Sequence, residues 1–432
     1  LPRREKSRHS RRNRELKLLL GAIFVSWVAF FAVYIVRPKI SLAFAVGAAL
    51  LFGLLYVLAH VIIRIYAPHS DPMVLPLISL LTGLGLIMIY RLSLRLAIFQ
   101  FVWITVGILA LTALLTLLKD YRVLEKYKYS LGLIGLLLLV STLRFGGGLF
   151  EPNLWLKIGP LNFQPSEIAK ILIVIFFAAY LQEKRELLST FTKKVGGVFV
   201  PEMKHLGPLL AFWAISLGLL IIQKDLGASL LFFGLFLGML YIATERGTYV
   251  GIGALLFLTG ATAASRIFVH VGARVQTWLN PWQDMAGRSF QLVQSLFAIA
   301  SGGVWGSGLG RGFPTLIPAV ATDFIFSAFS EEIGLLGVVG LIALYLVVVA
   351  RGFKISLKTA DEFGKLLVAG LTTVFALQTF IIIGGVTRVV PLTGITLPFM
   401  SYGGSSILAN FILMALLIAV SHQSIKEASE VK

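Results

Sequence analysis

The 432-residue sequence contains no cysteine. That excludes a disulfide framework, a thiolate metal site and a thiol nucleophile. Charge is also scarce: Asp, Glu, Lys and Arg make up 13% of the chain, about half the usual share of about 25% in soluble domains. No stretch is long and polar enough for a soluble domain, and there is no long linker. Hydrocarbon takes the place of charge, with 57% hydrophobic residues and a mean hydropathy of +0.89.

Apolar runs of about 20 residues recur from end to end, each long enough to cross a bilayer core of about 30 Å. Lipid offers no hydrogen bonds to the backbone, so only helices or closed barrels can span it. The runs are continuous rather than alternating, which selects helices. The reading is an all-α polytopic membrane protein with about twelve transmembrane helices. They are expected at 18–36, 40–66, 73–90, 97–118, 129–143, 165–182, 207–222, 227–243, 249–270, 323–350, 365–387 and 404–421. The fifth and seventh are short and must tilt, break or borrow from their flanks.

The formal net charge is +18. In a membrane chain such an excess sets orientation and contacts anionic lipid headgroups, so no nucleic-acid partner is inferred. With the N-terminus inside, the cytoplasmic segments, counted up to Lys365 at the edge of the eleventh span, hold 24 basic residues and the outer loops 11. This predicts a multi-pass membrane protein with both termini cytoplasmic. Residues 1–17 carry eight basic and two acidic residues and read as a solvated tail, not a cleavable signal. A second short cytoplasmic tail is expected at 422–432. The longest loop, about 271–322, falls outside, and loops of that length are usually functional. Within it, Phe290, Val293, Leu296, Phe297 and Ala300 recur at helical spacing behind Trp278 and Trp282. That pattern predicts a short helix near the outer interface.

Charges inside a membrane protein are costly and point to function. In NLWLKIGPLNFQPSEIAK (153–170), Pro165 suits a first helical turn, and Glu167 and Lys170 share one face. They read either as a dipole-complementing local ion pair or as a charged cavity wall. In QKDLG (223–227), Asp225 either caps the next helix or faces an aqueous cavity with Lys224. In PAVATDFIFSAFSEEIG (318–334), Thr322 and Asp323 are good capping types, yet a carboxylate at that depth could also be tuned as a base. Glu331 and Glu332, two turns on, are expected to pair with basic groups on neighbouring helices. In VTRVVPLTGITLPFMSYGGSS (386–406), the prolines and glycines predict a broken or re-entrant segment. There, Ser401, Gly403 and Gly404 could offer N–H and hydroxyl groups to an anion, or form a plain packing loop. Arg274, Arg288, Arg311 and Arg388 fall on the outer side, where they could contact pyrophosphate or lipid headgroups.

Taken together, LWLKIGPLNFQPSEIAK, QKDLG, RVQTWLNPWQD, QLVQSLFAIASGGVWGSGLG, TDFIFSAFSEEIGLLG and LTGITLPFMSYGGSS resemble the SEDS family, the shape, elongation, division and sporulation proteins related to RodA and FtsW. The likeness spans residues 73–421, in the family's order and spacing. It implies a ten-helix glycosyltransferase core at 73–421, with residues 18–72 as two additional N-terminal helices.

The resemblance further implies an inverting peptidoglycan glycosyltransferase of the bacterial cytoplasmic membrane that polymerises lipid II at its outer face. Its catalytic carboxylate would be Asp323. Glu167, Lys170, Asp225, Arg274, Arg311, Arg388, Ser401, Gly403 and Gly404 are the candidate substrate-binding residues. A divalent cation, Mg2+ or Mn2+, could assist, and no organic cofactor is expected. The family implies a class B penicillin-binding protein as partner. The family usually carries His before its Thr-Asp pair, where this chain has Ala321, so no role for an imidazole carries over. Two rival classes share the physical features: a flippase for lipid-linked precursors and a non-catalytic scaffold for the transpeptidase. A transporter of this size should show inverted repeats, and the sequence shows no convincing self-similarity.

Overall fold

The computed structural model describes residues 2–145, 154–158, 161–189, 193–195, 198–200 and 203–430. Asn153, Gly159 and Pro160 of the first charged stretch, and parts of the loop at 184–204, lie outside the described residues. In chain order the helices are α1 (Pro2–Val36), α2 (Leu42–Tyr66), α3 (Val74–Leu92), α4 (Leu94–Leu117), α5 (Val123–Lys126) and α6 (Lys128–Phe145). They continue with α7 (Pro165–Ser189), α8 (Met203–Ile222), α9 (Leu226–Thr244), α10 (Gly247–Ile267) and α11 (Val269–Leu279), then α12 (Phe290–Gly302), α13 (Ile325–Lys358), α14 (Glu362–Val386) and α15 (Gly404–Glu430). Two small antiparallel hairpins add to them: β1 (Leu156–Ile158) with β2 (Leu161–Phe163), and β3 (Lys193–Val195) with β4 (Val198–Val200).

Among the described residues, ten helices are long and apolar enough to cross a membrane. The fifth and seventh expected spans are the shorter apolar helices Lys128–Leu143 and Leu206–Ile222. The protein is thus an all-α polytopic membrane protein, and the short helix expected in the long loop is α12. The ends of the chain differ from expectation. Helix α1 begins at Pro2 and runs through the basic segment, while α15 continues to Glu430. Arg12 and Glu15 are buried, each 1% exposed. Arg12 Nη1 donates to Glu15 Oε2 at 2.5 Å, and His60 Nδ1 lies 2.7 Å from Glu15 Oε1. Arg12 and Glu15 are therefore held against α2 rather than solvated, because paired charges can be buried where lone ones cannot, while Asn13, Arg14 and Lys17 stay exposed.

The chain forms two compact units. The first comprises Leu1–Asp120, Gln276–Arg351 and Gln378–Lys432. In it α1 lies against α2 and α3, and α4 lies along α15. Gly107 makes the α4–α15 contact possible: a Cβ there would fall 2.2 Å from the Phe411 ring. Small residues let membrane helices approach where no hydrophobic force drives them together. Near the end of α2, Arg351 pairs with Asp71, and Asp71 N donates to Ser421 Oγ at 3.0 Å.

The second unit comprises Tyr121–Val275 and Gly352–Leu377. Helix α7 is its centre, touching α6, α8 and α9. Aromatic pairs fill it: Phe176 with Phe212 at 4.2 Å and Trp213 stacked on Phe236 at 4.8 Å. At one end of α7, Arg185 donates to Glu362 at 2.7 Å and to the Ala243 carbonyl at 3.0 Å.

Candidate active site

In the first unit the chain enters α13 through a tight turn. Ala319 takes a left-handed backbone, φ 54°, and its carbonyl accepts from both Thr322 N and Asp323 N at 3.1 Å. The Thr322 hydroxyl turns back to the same carbonyl, at 3.0 Å, so it does not cap α13. Asp323 stands two residues ahead of Ile325, half-buried in this turn.

The segment between α14 and α15 is non-helical, as its prolines and glycines require, and it braces that turn. The Ser401 hydroxyl donates to the Thr322 carbonyl and accepts from Leu397 N at 2.9 Å. Tyr402 N donates to the Ala321 carbonyl at 2.8 Å. Gly394 has φ +76°, and a Cβ built on it would sit 3.5 Å from Asp323 Oδ2. Glycine at this position therefore keeps the backbone unstrained and the approach to the carboxylate open. Gln100 of α4 secures the other side: its Nε2 donates to the Ser401 carbonyl at 3.0 Å and its Oε1 accepts from Gly403 N at 3.3 Å.

These contacts revise the reading of Ser401, Gly403 and Gly404 as open anion donors. Ser401 is 2% exposed, and its hydroxyl and the Gly403 N–H are spent within the chain. At Gly404 a Cβ would fall 2.0 Å from the Trp103 ring. Arg388 is revised likewise. Its Nε and Nη2 donate at 2.7 Å to the carbonyls of Trp278 and Leu279, and Trp278 Nε1 returns a bond to the Arg388 carbonyl at 3.1 Å. The guanidinium thus caps a helix end. Arg311 is exposed, as is Arg288.

The glycine-rich loop after α12 is sewn to α13. Glu332 Oε1 accepts from Arg91 Nε at 2.9 Å and its Oε2 from Gly310 N at 2.7 Å. Glu331 Oε1 accepts from Phe313 N at 2.7 Å. Helix α13 breaks at Gly334, φ 66° and ψ −172°. The broken turn lets Leu335 N and Leu336 N reach the carbonyls of Gly303 and Val304, at 2.9 and 3.2 Å. The expected pairing of Glu332 with a basic group on a neighbouring helix is realised by Arg91 of α3.

In the second unit four predicted residues gather. Pro165 opens α7, and Lys170 Nζ donates to Glu167 Oε2 at 2.5 Å, with Lys170 only 2% exposed. Asp225 caps α9, accepting from Ala228 N at 2.9 Å. Burial pushes the Asp225 carboxyl above its ordinary range, as does the Glu167 charge, while the Ala228 N–H and the exposed Arg274 pull it down. Capping and electrostatic coupling therefore coexist at Asp225.

Sequence reasoning missed Gln100, Gly394 and Arg91. Gln100 carried a signal, as a lone amide in the apolar run LAIFQFVWI, where polar residues seek partners. Among the described residues no three His, Asp or Glu side chains cluster to hold a metal ion.

The chain is similar in sequence and in fold to known proteins. The cell cycle protein family of FtsW, RodA and SpoVE matches residues 71–426. The peptidoglycan glycosyltransferase RodA of Mycobacterium tuberculosis is 45% identical over 426 residues, covering 96% of this chain and 91% of that protein. The probable peptidoglycan glycosyltransferase FtsW of Geobacter metallireducens is 32% identical over 366 residues, covering 81% and 94%. A chain solved in a peptidoglycan synthase complex, in work on the coordination of polymerization and crosslinking, aligns with TM-score 0.67 at 26% identity, covering 82% of this chain and 98% of that one. With its helices, its motifs and these relatives in agreement, the chain belongs to the FtsW, RodA and SpoVE family of cell cycle proteins, the SEDS family.

Proposed function

We propose that this chain is a peptidoglycan glycosyltransferase that polymerises lipid II into glycan strands at the outer face of the cytoplasmic membrane, with Asp323 as the general base. The observation that carries the reading is the position of that carboxylate. It is half-buried at the head of α13, with its Oδ2 toward the Gly394 turn, in a protein whose relatives are named for this activity. The skew of basic residues supports cytoplasmic termini, which puts the Asp323 end of α13 outside.

Asp323 would take the proton from the 4-hydroxyl of the acceptor N-acetylglucosamine. The freed oxygen attacks the anomeric carbon of the donor N-acetylmuramic acid as its bond to phosphate breaks, and undecaprenyl pyrophosphate leaves. Retaining transfer needs a second flanking carboxylate as nucleophile. One catalytic carboxylate is carried over from the family, and pyrophosphate departs without protonation, so a single displacement inverts the α-linked donor to a β-1,4 product. Glu167, Lys170, Asp225 and Arg274 of the second unit are retained as proposed substrate contacts on the strength of the family's motifs, and Arg311 of the first unit as a further exposed cation. Ser401, Gly403, Gly404 and Arg388 act by holding backbone. Mg2+ or Mn2+ enters this proposal only as a companion of the pyrophosphate, since Mg2+ is commonly held by few carboxylates plus substrate phosphates. A class B penicillin-binding protein is the proposed partner, supported by the complex in which the solved relative was found. Anionic lipids are proposed partners on the strength of the net charge.

The test is a gel assay of lipid II polymerisation by the purified protein, with and without its transpeptidase. Asp323→Asn should insert and melt like the parent yet form no glycan. Parent-like product from that variant would remove Asp323 from the chemistry.

A further inference from the structure

The first unit holds an apolar groove that this reaction does not use. A cavity of about 420 Å3 lies among α1, α2, α3 and α4, within the size range of small-ligand sites. Phe44 and Leu51 of α2 and Ile98 and Val102 of α4 line it, and all four are also exposed. The groove is therefore open sideways, between two membrane helices, where the surrounding solvent is lipid. Gly47, one of the lining residues, faces open space: a Cβ there would meet nothing within 4 Å. The polar groups of its walls are spent, since Trp27 Nε1 donates to the Ala49 carbonyl at 2.8 Å and the Ser26 hydroxyl to the Ala22 carbonyl at 2.9 Å. From Ala43 to Phe52 the lining of α2 rises about 14 Å, close to one leaflet of a core of about 30 Å.

One end of the groove is marked by Ile40, Tyr90 and Leu94, and three cations stand there. Lys39 Nζ donates to the carbonyls of Tyr90, Arg91 and Leu92 at 3.1, 2.9 and 3.3 Å. Arg37 Nε donates to the Gly310 carbonyl at 3.2 Å. Arg95 follows the lining residue Leu94 at the start of α4, is exposed, and lies 5.9 Å from the Phe99 ring centre. None of the three forms an ion pair among the described residues. Glu332 reaches this corner but is paired with Arg91, and residues 16–70 and 72–119 contain no Asp or Glu. Burial first, and then the charges of Arg91 and Arg37, hold the Lys39 ammonium below its ordinary range.

We infer that this groove binds an anionic glycerophospholipid of the bilayer, one acyl chain lying in the slot and its phosphate met by the guanidinium groups of Arg37 and Arg95, while Lys39, whose three N–H groups go to carbonyls, adds charge alone. The hydrocarbon is placed by the dry, laterally open walls and the one-leaflet depth. The anionic headgroup is placed by the unneutralised cations. The two helices that precede the core thereby gain a task, since the slot exists only where α1 and α2 meet α3 and α4.

The test uses the full-length protein in nanodiscs with equal phosphatidylglycerol and phosphatidylcholine, reading retained lipid by native mass spectrometry. The parent should retain phosphatidylglycerol at least five-fold over phosphatidylcholine. Gly47→Phe should lose the retained lipid while melting like the parent. Arg95→Gln, which leaves the slot intact, should lower the phosphatidylglycerol preference about five-fold, the worth of one cation near an anionic surface. Equal retention of the two lipids by the parent, or undiminished retention by Gly47→Phe, would overturn the inference. So would displacement of phosphatidylglycerol by a polyprenyl diphosphate, which would give the slot to an isoprenoid.

Discussion

The Ser401 hydroxyl donates to the carbonyl of Thr322, the residue directly before Asp323, across 79 positions of sequence. The same hydroxyl accepts from Leu397 N, so one oxygen joins the segment after α14 to the turn that carries the proposed base. Ser401→Ala would leave a buried N–H unmet, a cost of about 1–3 kcal/mol. Because Ser401 acts through the turn, polymerisation turnover should fall about ten-fold or more while the KM for lipid II changes little. An equal loss in both parameters, tracking a lower melting temperature, would mark the residue as structural only.

Gly394 has a left-handed backbone beside the same carboxylate. Gly394→Ala should cost about 1–2 kcal/mol from the backbone alone and place a methyl in contact with Asp323 Oδ2. Thermal unfolding should show the modest loss of stability. Lipid II turnover should fall by more than that loss explains, and Gly403→Ala, with no positive φ recorded, should be milder in both assays.

The Arg91–Glu332 pair is buried, with side chains 6% and 0% exposed. Removing one partner of such a pair typically costs about 3–5 kcal/mol, whereas replacing both with apolar residues can be nearly neutral. Glu332→Gln should therefore lower the melting temperature sharply, and Arg91→Met combined with Glu332→Leu should recover much of it. The double variant would still lack the bonds to Gly310 N and the Gly312 carbonyl, so its loop should be cut faster by protease than the parent's.

Asp225 supplies a pH dependence. Its folded carboxyl is raised above the ordinary value, first by burial and further by Glu167. The folded state then binds its proton more tightly than the unfolded chain does. The resulting stability is present below the unfolded value and is lost as pH rises through the folded one. Melting temperature should thus rise as the pH is lowered from neutral toward the weakly acidic range. Asp225→Asn, which keeps a good helix cap, should flatten that slope. Arg274→Gln should steepen it by removing a charge that lowers the Asp225 value. An unchanged slope in Asp225→Asn would assign the effect to another group.

The sequence by itself determined the membrane helices, because hydropathy is a sum over contiguous residues and each apolar run states its own length. It also located Asp323 at the head of a helix, Pro165 at the start of another and the broken segment around Gly394 and Pro398, since backbone preferences are local. What only the tertiary structure decided was which polar groups meet. Arg91 and Glu332 are 241 residues apart, and Arg388 spends its guanidinium on carbonyls 110 and 109 positions away. Arg12 and Glu15 looked like surface charge until His60 and the Ser70 carbonyl were brought against them. A buried polar group takes the partner that packing places within about 3 Å, and no local pattern in the chain encodes that choice.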